Sequence, residues 1–118
     1  MINTNGWKKK PIDRMEMMKI LGLIYVQTSA GFGKMGLAKF IFDNAGPTVK
    51  PKYAYITKAL VRTELLTKSG NVGRGIAYRW NIKKYGPVSL PIADMVIAET
   101  EYQIIIGARI KRRNKRNE

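Results

Sequence analysis

The most constraining feature of this sequence is the stretch from Pro51 to Ile82, where the spacing of apolar residues changes from helical to alternating. Residues 51–63 separate two sets of side chains onto opposite faces, as in an amphipathic helix. The predicted inner face holds Tyr53, Ile56, Thr57 and Leu60, and the predicted outer face holds Lys52, Tyr55, Lys58 and Arg62.

The second part of this stretch has the pattern of a β-hairpin. Residues 65–68 are a short, mainly apolar run, and residues 69–75 contain three glycines, an asparagine and Arg74. Residues 76–82 then alternate apolar and polar side chains with many β-favouring residues. The glycines suit a tight turn because they adopt positive φ angles without steric cost. The pattern therefore predicts a strand, a glycine-rich basic tip and a second strand.

This order of helix, strand, basic tip and strand resembles the second half of a winged helix-turn-helix domain, over roughly residues 13–82. In that family the recognition helix closes with a leucine, and four positions later a glycine precedes an apolar pair. Here Leu60, Glu64 and Leu65–Leu66 occupy those positions, with Glu64 in place of glycine. The resemblance implies an α+β fold with three helices and a wing sheet of two or three strands, to which this chain adds a C-terminal helix.

Local signals divide the rest of the chain. Asp13 is a suitable N-cap, and Glu16 lies at the capping-box position of a first helix that runs to about Gln27. A second helix is predicted over 34–44, because Gly46 and Pro47 then stop it. The predicted organisation is a basic flexible arm at 1–12, the winged helix-turn-helix domain at 13–88, a C-terminal helix at 89–108 and a disordered or frayed basic tail at 109–118.

The C-terminal segment allows two interpretations. Residues 89–109 favour a helix, although the isoleucines at 104–106 also suit a strand. Such a helix either covers the core or forms a homodimer through residues 89–108.

The first helix has few polar residues after Lys19, so we expect this helix to be buried on most sides.

Composition excludes several kinds of site. The 118 residues suit one domain, and they include no cysteine or histidine. Disulfides, thiol catalysis, histidine metal sites and imidazole acid–base catalysis are therefore excluded. Residues 28–35 lack the glycine and the Ser/Thr of a phosphate-binding loop. We accordingly expect a cytoplasmic protein that is not an enzyme, has no cofactor, no metal and no membrane span.

Charge identifies the kind of partner. The formal net charge is +14 and the pI is about 10.3. Residues 44–93 carry nine bases against one acid, Glu64, and residues 109–118 carry six bases against one. Such an imbalance within a folded segment causes self-repulsion, so its usual explanation is a polyanionic partner such as DNA.

The resemblance assigns roles to particular residues of a duplex DNA-binding regulator. The helix at 51–63 would enter the major groove, with Lys52 donating to guanine and Tyr55 hydrogen-bonding or packing on a thymine methyl. The wing at 69–75 would lie on the adjacent minor groove or backbone. The predicted recognition-helix contacts are Lys50, Lys52, Tyr55, Lys58 and Arg62. The predicted wing contacts are Lys68, Asn71, Arg74 and Arg79, and the predicted phosphate contacts are Lys34, Lys83, Lys84, Arg112 and Arg113.

Two alternatives to duplex DNA binding stay open. If Tyr78 and Trp80 face solvent, they offer rings for stacking bases, which indicates an RNA- or single-strand-binding module. If they face the core, Arg79 between them faces outward. A winged helix that binds an acidic protein is the second alternative.

Overall fold

The protein has an α+β fold, which we describe from a computed structural model. It covers the backbone of residues 10–30, 36–72 and 75–116, and side chains within 10–28, 36–68 and 77–108. The described part contains five α-helices, one 3₁₀ helix and one sheet. In chain order the elements are α1 (Arg14–Ala30), α2 (Leu37–Asn44), the 3₁₀ helix (Lys50–Lys52), α3 (Tyr53–Arg62), β1 (Leu66–Val72), β2 (Gly75–Trp80), α4 (Ile82–Tyr85) and α5 (Leu90–Arg116).

The start of α1 confirms one prediction and corrects another. The Asp13 carboxylate accepts hydrogen bonds from the backbone N–H groups of Met15 at 2.8 Å and Glu16 at 3.1 Å, as an N-cap does. The reciprocal half of the capping box is wrong, because the Asp13 N–H donates to the Thr48 hydroxyl at 2.9 Å. Glu16 instead accepts from the Thr48 N–H at 3.0 Å and hydroxyl at 2.7 Å. This network ties α1 to the α2–α3 connection.

The core lies between α1, α3 and α5, with β2 against α1 and α2 against α3. Helix α1 contributes an apolar stripe, as its spacing predicts. Its outer face is more exposed than predicted, since Leu23 and Val26 lie on the surface. The fully buried large side chains are Met17, Ile20, Leu21, Ile24, Ile41, Val49, Ile56, Leu60, Leu65, Leu66, Val96 and Thr100.

The link between α2 and α3 is short and structured. Helix α2 ends at Asn44, and the Ala45 N–H still donates to the Ile41 carbonyl at 2.9 Å. The predicted stop at Gly46 and Pro47 is therefore confirmed, while the predicted start at 34 lies outside the described residues. The 3₁₀ helix then leads directly into α3, so only residues 45–49 separate it from the end of α2.

The predicted hairpin is present. Strands β1 and β2 pair antiparallel from Leu66 opposite Trp80 to Val72 opposite Gly75, with a register shift between Lys68 and Gly70. A register shift of this kind is a β-bulge, which bends a strand and increases its twist. Strand β2 ends at Trp80, two residues earlier than predicted, because Ile82 begins α4.

The base of the hairpin is bonded to the end of α3, an arrangement that we call the hairpin-base clamp. The Asn81 side-chain amide donates to the Glu64 carbonyl at 3.0 Å, and the Asn81 N–H donates to the Leu65 carbonyl at 2.9 Å. The Tyr85 hydroxyl donates to the Thr63 carbonyl. These bonds hold α3, the hairpin and α4 in one arrangement.

Helix α5 is longer than predicted. It runs for 27 residues, from Leu90 to Arg116, so the helical alternative for residues 104–106 is the correct one. Residues 109–116 continue this helix, which corrects the expected disordered or frayed tail. At a rise of 1.5 Å per residue, α5 spans about 40 Å.

Candidate nucleic-acid interface

Lys52, one of the two predicted base readers, is buried. Only 2% of its surface is exposed. Its ammonium group donates hydrogen bonds to the Lys10 carbonyl at 2.9 Å and to the Glu101 carboxylate at 3.0 Å. The predicted outer position of Lys52 is therefore wrong. Its long aliphatic stem lies along the core, and its charge meets an acid from a helix 49 residues further along the chain.

The second predicted base reader, Tyr55, faces α5. It is half-buried, and a Cβ atom built on Gly107 would lie 3.6 Å from both the ring and the hydroxyl oxygen of Tyr55. The predicted outer face of α3 is thus partly covered by α5. The buried stripe of this region consists of Lys52, Ile56, Ala59 and Leu60, whereas Tyr53, predicted to be internal, is exposed.

The surface that α3 does expose is centred on Lys58. Ala54, Lys58, Val61 and Arg62 are exposed at helical spacing, which confirms the outward positions of Lys58 and Arg62. Arg62 lies 3.6 Å from the Glu99 carboxylate, which also accepts a hydrogen bond from Gln103. A groove of about 470 Å³ between α3 and α5 is lined by Thr57, Lys58, Val61, Arg62 and Gln103.

The other edge of this surface holds an aromatic pair that the sequence reasoning missed. Phe42 of α2 and Tyr53 of α3 are exposed, and their ring centroids lie 5.2 Å apart in an edge-on arrangement. Lys50 places its ammonium group 4.6 Å from the centre of the Phe42 ring. A signal existed in the sequence, because Phe42 falls off the face that Leu37 and Ile41 define.

The hairpin presents its bases on two faces. Lys68 and Arg79 are exposed. Lys68 pairs with Tyr78, and Thr67 pairs with Arg79, so the two bases lie on opposite sides of the sheet. As predicted, Arg79 points away from the core, because Trp80 is only 5% exposed and Tyr78 packs against the core.

The Trp80 ring is fixed on both sides. Its indole N–H donates to the Gly86 carbonyl at 2.9 Å, and its ring meets Tyr25 edge-on at 5.2 Å. The two aromatic rings of β2 are therefore core residues, which removes the observation on which base stacking by this strand depended.

Lys83 and Lys84 of α4 are both exposed next to the hairpin base. Lys84 lies 5.4 Å from the centre of the Tyr85 ring. Their exposure leaves them accessible to a partner, and their phosphate contacts stay predictions. The remaining predicted contacts fall outside the described side chains, so their positions stay predictions: Lys34, Asn71, Arg74, Arg112 and Arg113.

The acids lie close to particular bases. Arg14 donates to both Asp94 oxygens, at 2.9 and 2.6 Å, and this joins α1 to α5. These hydrogen bonds lower the pKa of the Asp94 carboxyl and raise the pKa of Arg14, so both stay charged at neutral pH. The ion pairs among the described side chains join Arg14 to Asp94, Lys39 to Asp43, Lys52 to Glu101 and Arg62 to Glu99.

The ion pairs leave several of the described basic residues without an acid. Two of these, Lys10 and Lys19, lie before and within α1. The others lie on the 3₁₀ helix, α3, the hairpin and α4, and we call them the unpaired basic residues: Lys50, Lys58, Lys68, Arg79, Lys83 and Lys84. Positive charge that is not neutralised locally can attract a polyanion.

The described residues contain no cluster of three acidic side chains that could hold a metal ion. None of the described helices combines the length and the apolar character needed to cross a bilayer. A homodimer through residues 89–108 stays a prediction, for which Tyr102 and Ile105 supply exposed apolar side chains. No protein-family model, curated protein or solved structure matches this chain.

Proposed function

We propose that this protein is a winged helix-turn-helix protein that binds duplex DNA as a transcriptional regulator. Helix α3 enters the major groove, and the hairpin lies on the adjacent minor groove or backbone. The order of elements supports this proposal, because α2, α3 and the β1–β2 hairpin follow one another as a helix, a helix and a wing. The major groove of DNA is wide enough to admit one α-helix.

The observation that carries the proposal is the location of the unpaired basic residues. Lys58 is on the exposed face of α3, Lys68 and Arg79 are on the hairpin, and Lys83 is on α4. The hairpin-base clamp joins these three elements, so their basic residues belong to one bonded unit. Such a group of basic residues would bind DNA phosphates whatever the DNA sequence, while side chains on α3 would read the edges of the nucleobases.

The buried base Lys52 has no part in this proposal. The base-reading groups are instead side chains on the exposed face of α3, above all Lys58 near its middle, which can donate to guanine acceptors. Arg62 is held near Glu99, so it contributes less positive potential than Lys58.

The proposal is tested by titrating the protein against a labelled random-sequence duplex at a series of salt concentrations. We expect the affinity to fall steeply with salt, because each neutralised phosphate releases about 0.9 counterion equivalents. Lys58→Ala should weaken binding and reduce the slope by about one. An affinity that does not change with salt would show the proposal to be wrong.

Lys39→Ala is the matched control for Lys58→Ala. Lys39 is also an exposed lysine on a helix, but it pairs with Asp43 at 2.7 Å. Its removal should leave the salt slope unchanged. Selection of bound duplexes from a random pool then separates a sequence-specific regulator, which enriches one site, from a protein that coats DNA generally.

A further inference from the structure

An exposed aromatic pair sits beside the first turn of α3. Phe42 is 42% exposed and Tyr53 is 36% exposed, and the two rings support each other edge-on at an interplanar angle of 70°. Ala54, the residue that follows Tyr53, is also exposed. We call these three side chains the aromatic edge; they lie beside the N-terminal end of the helix that we place in the major groove.

The surroundings of the aromatic edge favour an anionic partner. Lys50 holds its ammonium group 4.6 Å from the centre of the Phe42 ring, and no described carboxylate pairs with it. The nearest acid in sequence, Asp43, is neutralised by Lys39 at 2.7 Å. An apolar surface with a cation beside it suits a ligand that offers both an apolar group and a phosphate.

Thymine in duplex DNA offers these two groups together. Its C5-methyl group projects into the major groove, where alanine and aromatic side chains make apolar contacts with it. In helix-turn-helix docking the N-terminal residues of the recognition helix reach the base edges. We therefore propose that the aromatic edge of Phe42, Tyr53 and Ala54 contacts thymine methyl groups, while Lys50 contacts the adjacent phosphate. This inference rests on the proposed duplex binding.

The test removes only the methyl groups. A short duplex of alternating deoxyadenosine and thymidine is compared with the same duplex made with deoxyuridine, at one fixed salt concentration. The wild-type protein should bind the deoxyuridine duplex about fourfold more weakly for each methyl group that it contacts. Tyr53→Ala and Phe42→Ala should each reduce this difference, because each removes part of the contact surface.

Tyr102→Ala is the matched control. Tyr102 is a tyrosine on α5 that is 54% exposed and is not part of the aromatic edge. This variant should keep the full difference between the two duplexes. Thermal unfolding of all three variants checks their folding, and since the substituted rings are exposed, large losses are not expected.

The outcomes separate this inference from the proposed function. Equal, salt-dependent binding of both duplexes by the wild type would overturn the inference and leave duplex binding intact. A difference that survives unchanged in both ring variants would also overturn it. If the wild type binds neither duplex, both proposals fail.

Discussion

Glu64 determines how α3 ends. Its φ angle is +61°, in the left-handed region that glycine adopts without strain. The Glu64 N–H donates to the Val61 carbonyl at 3.1 Å, and its own carbonyl accepts from Asn81. These bonds hold the turn even though the residue has a side chain. The position is the one at which the winged helix-turn-helix resemblance calls for glycine.

We expect Glu64→Gly to stabilise the protein by about 0.5–1 kcal/mol, because relief of the left-handed conformation exceeds the added flexibility of the unfolded chain. Urea unfolding measures this change. Glu64→Ala is the control, since it removes the carboxylate but keeps a Cβ atom, and its free energy of unfolding should stay near that of the wild type. Equal stabilisation by both variants would attribute the effect to charge.

Lys52 gives a second prediction for a single residue. Lys52→Ala should reduce the free energy of unfolding by about 2 kcal/mol, because it removes a buried stem and two hydrogen bonds. Its preference among duplex sequences should stay that of the wild type.

The comparison variant is Lys58→Ala, which lies on the surface and should change stability by less than about 0.5 kcal/mol. Lys52→Ala that unfolds like the wild type but selects different duplexes would restore Lys52 as a base reader. Unfolding curves and selection from a random pool distinguish these results.

Residue-level predictions succeeded where the cause is local. The Asp13 cap depends on N–H groups two and three residues away, and it is confirmed. The reciprocal Glu16 bond failed because Thr48, 32 residues away, takes the carboxylate instead. Likewise, nothing near Lys52 in the sequence indicates that Glu101 will receive its charge.

At the scale of elements, periodicity predicted α1, α3 and the hairpin with small errors at their ends, whereas α4 was not predicted. The orientation of α3 could not be predicted in this way. Its spacing defines an apolar stripe, but the residues beside that stripe are buried or exposed according to where α5 packs. Tyr55, for example, lies against Gly107 of α5. The extent of α5 was also underestimated, because a run of basic residues is compatible with either a helix or a disordered tail.

Two glycines, Gly22 in α1 and Gly46 in the α2–α3 connection, allow a test at the scale of elements. Gly22 lies inside α1, and a Cβ atom built on it meets nothing within 4 Å. Gly22→Ala should therefore stabilise the protein by about 0.8–1 kcal/mol through helix propensity. Thermal or urea unfolding measures the effect.

Gly46→Ala is the contrasting variant. A Cβ atom there would lie 2.2 Å from a Glu16 carboxylate oxygen, which the Thr48 N–H holds at 3.0 Å. We expect destabilisation of about 1–2 kcal/mol, because the side chain of Glu16 must move and lose its hydrogen bonds. If both alanines stabilise the protein, the Glu16–Thr48 network contributes little to the fold.

For the whole molecule, composition predicts an anionic partner but does not locate it. The net charge of +14 can be read from the sequence. The unpaired basic residues can be identified only from the structure, which shows which basic residue each acidic side chain pairs with. Asp94 pairs with Arg14, 80 positions earlier in the chain, so the sequence does not show which positive charge Asp94 neutralises.

A double variant, Lys83→Ala with Lys84→Ala, tests this charge distribution. We expect its salt slope for duplex DNA to fall by up to about two, if both lysines meet phosphates. The control, Lys19→Ala with Lys39→Ala, has the same net charge but alters α1 and α2 instead. Equal slopes for the two double variants would mean that total charge alone governs binding.

If the protein binds duplex DNA as we propose, the hairpin-base clamp restricts the shape of the duplex that it can accept. The clamp bonds the end of α3 to the base of the hairpin, so both elements would engage only a duplex whose two grooves match their separation. A-form RNA has a major groove too deep and narrow for side chains to read. Adapting to it would require breaking the bonds that Asn81 and Tyr85 make. The preference for B-form geometry would thus be set before any base is contacted.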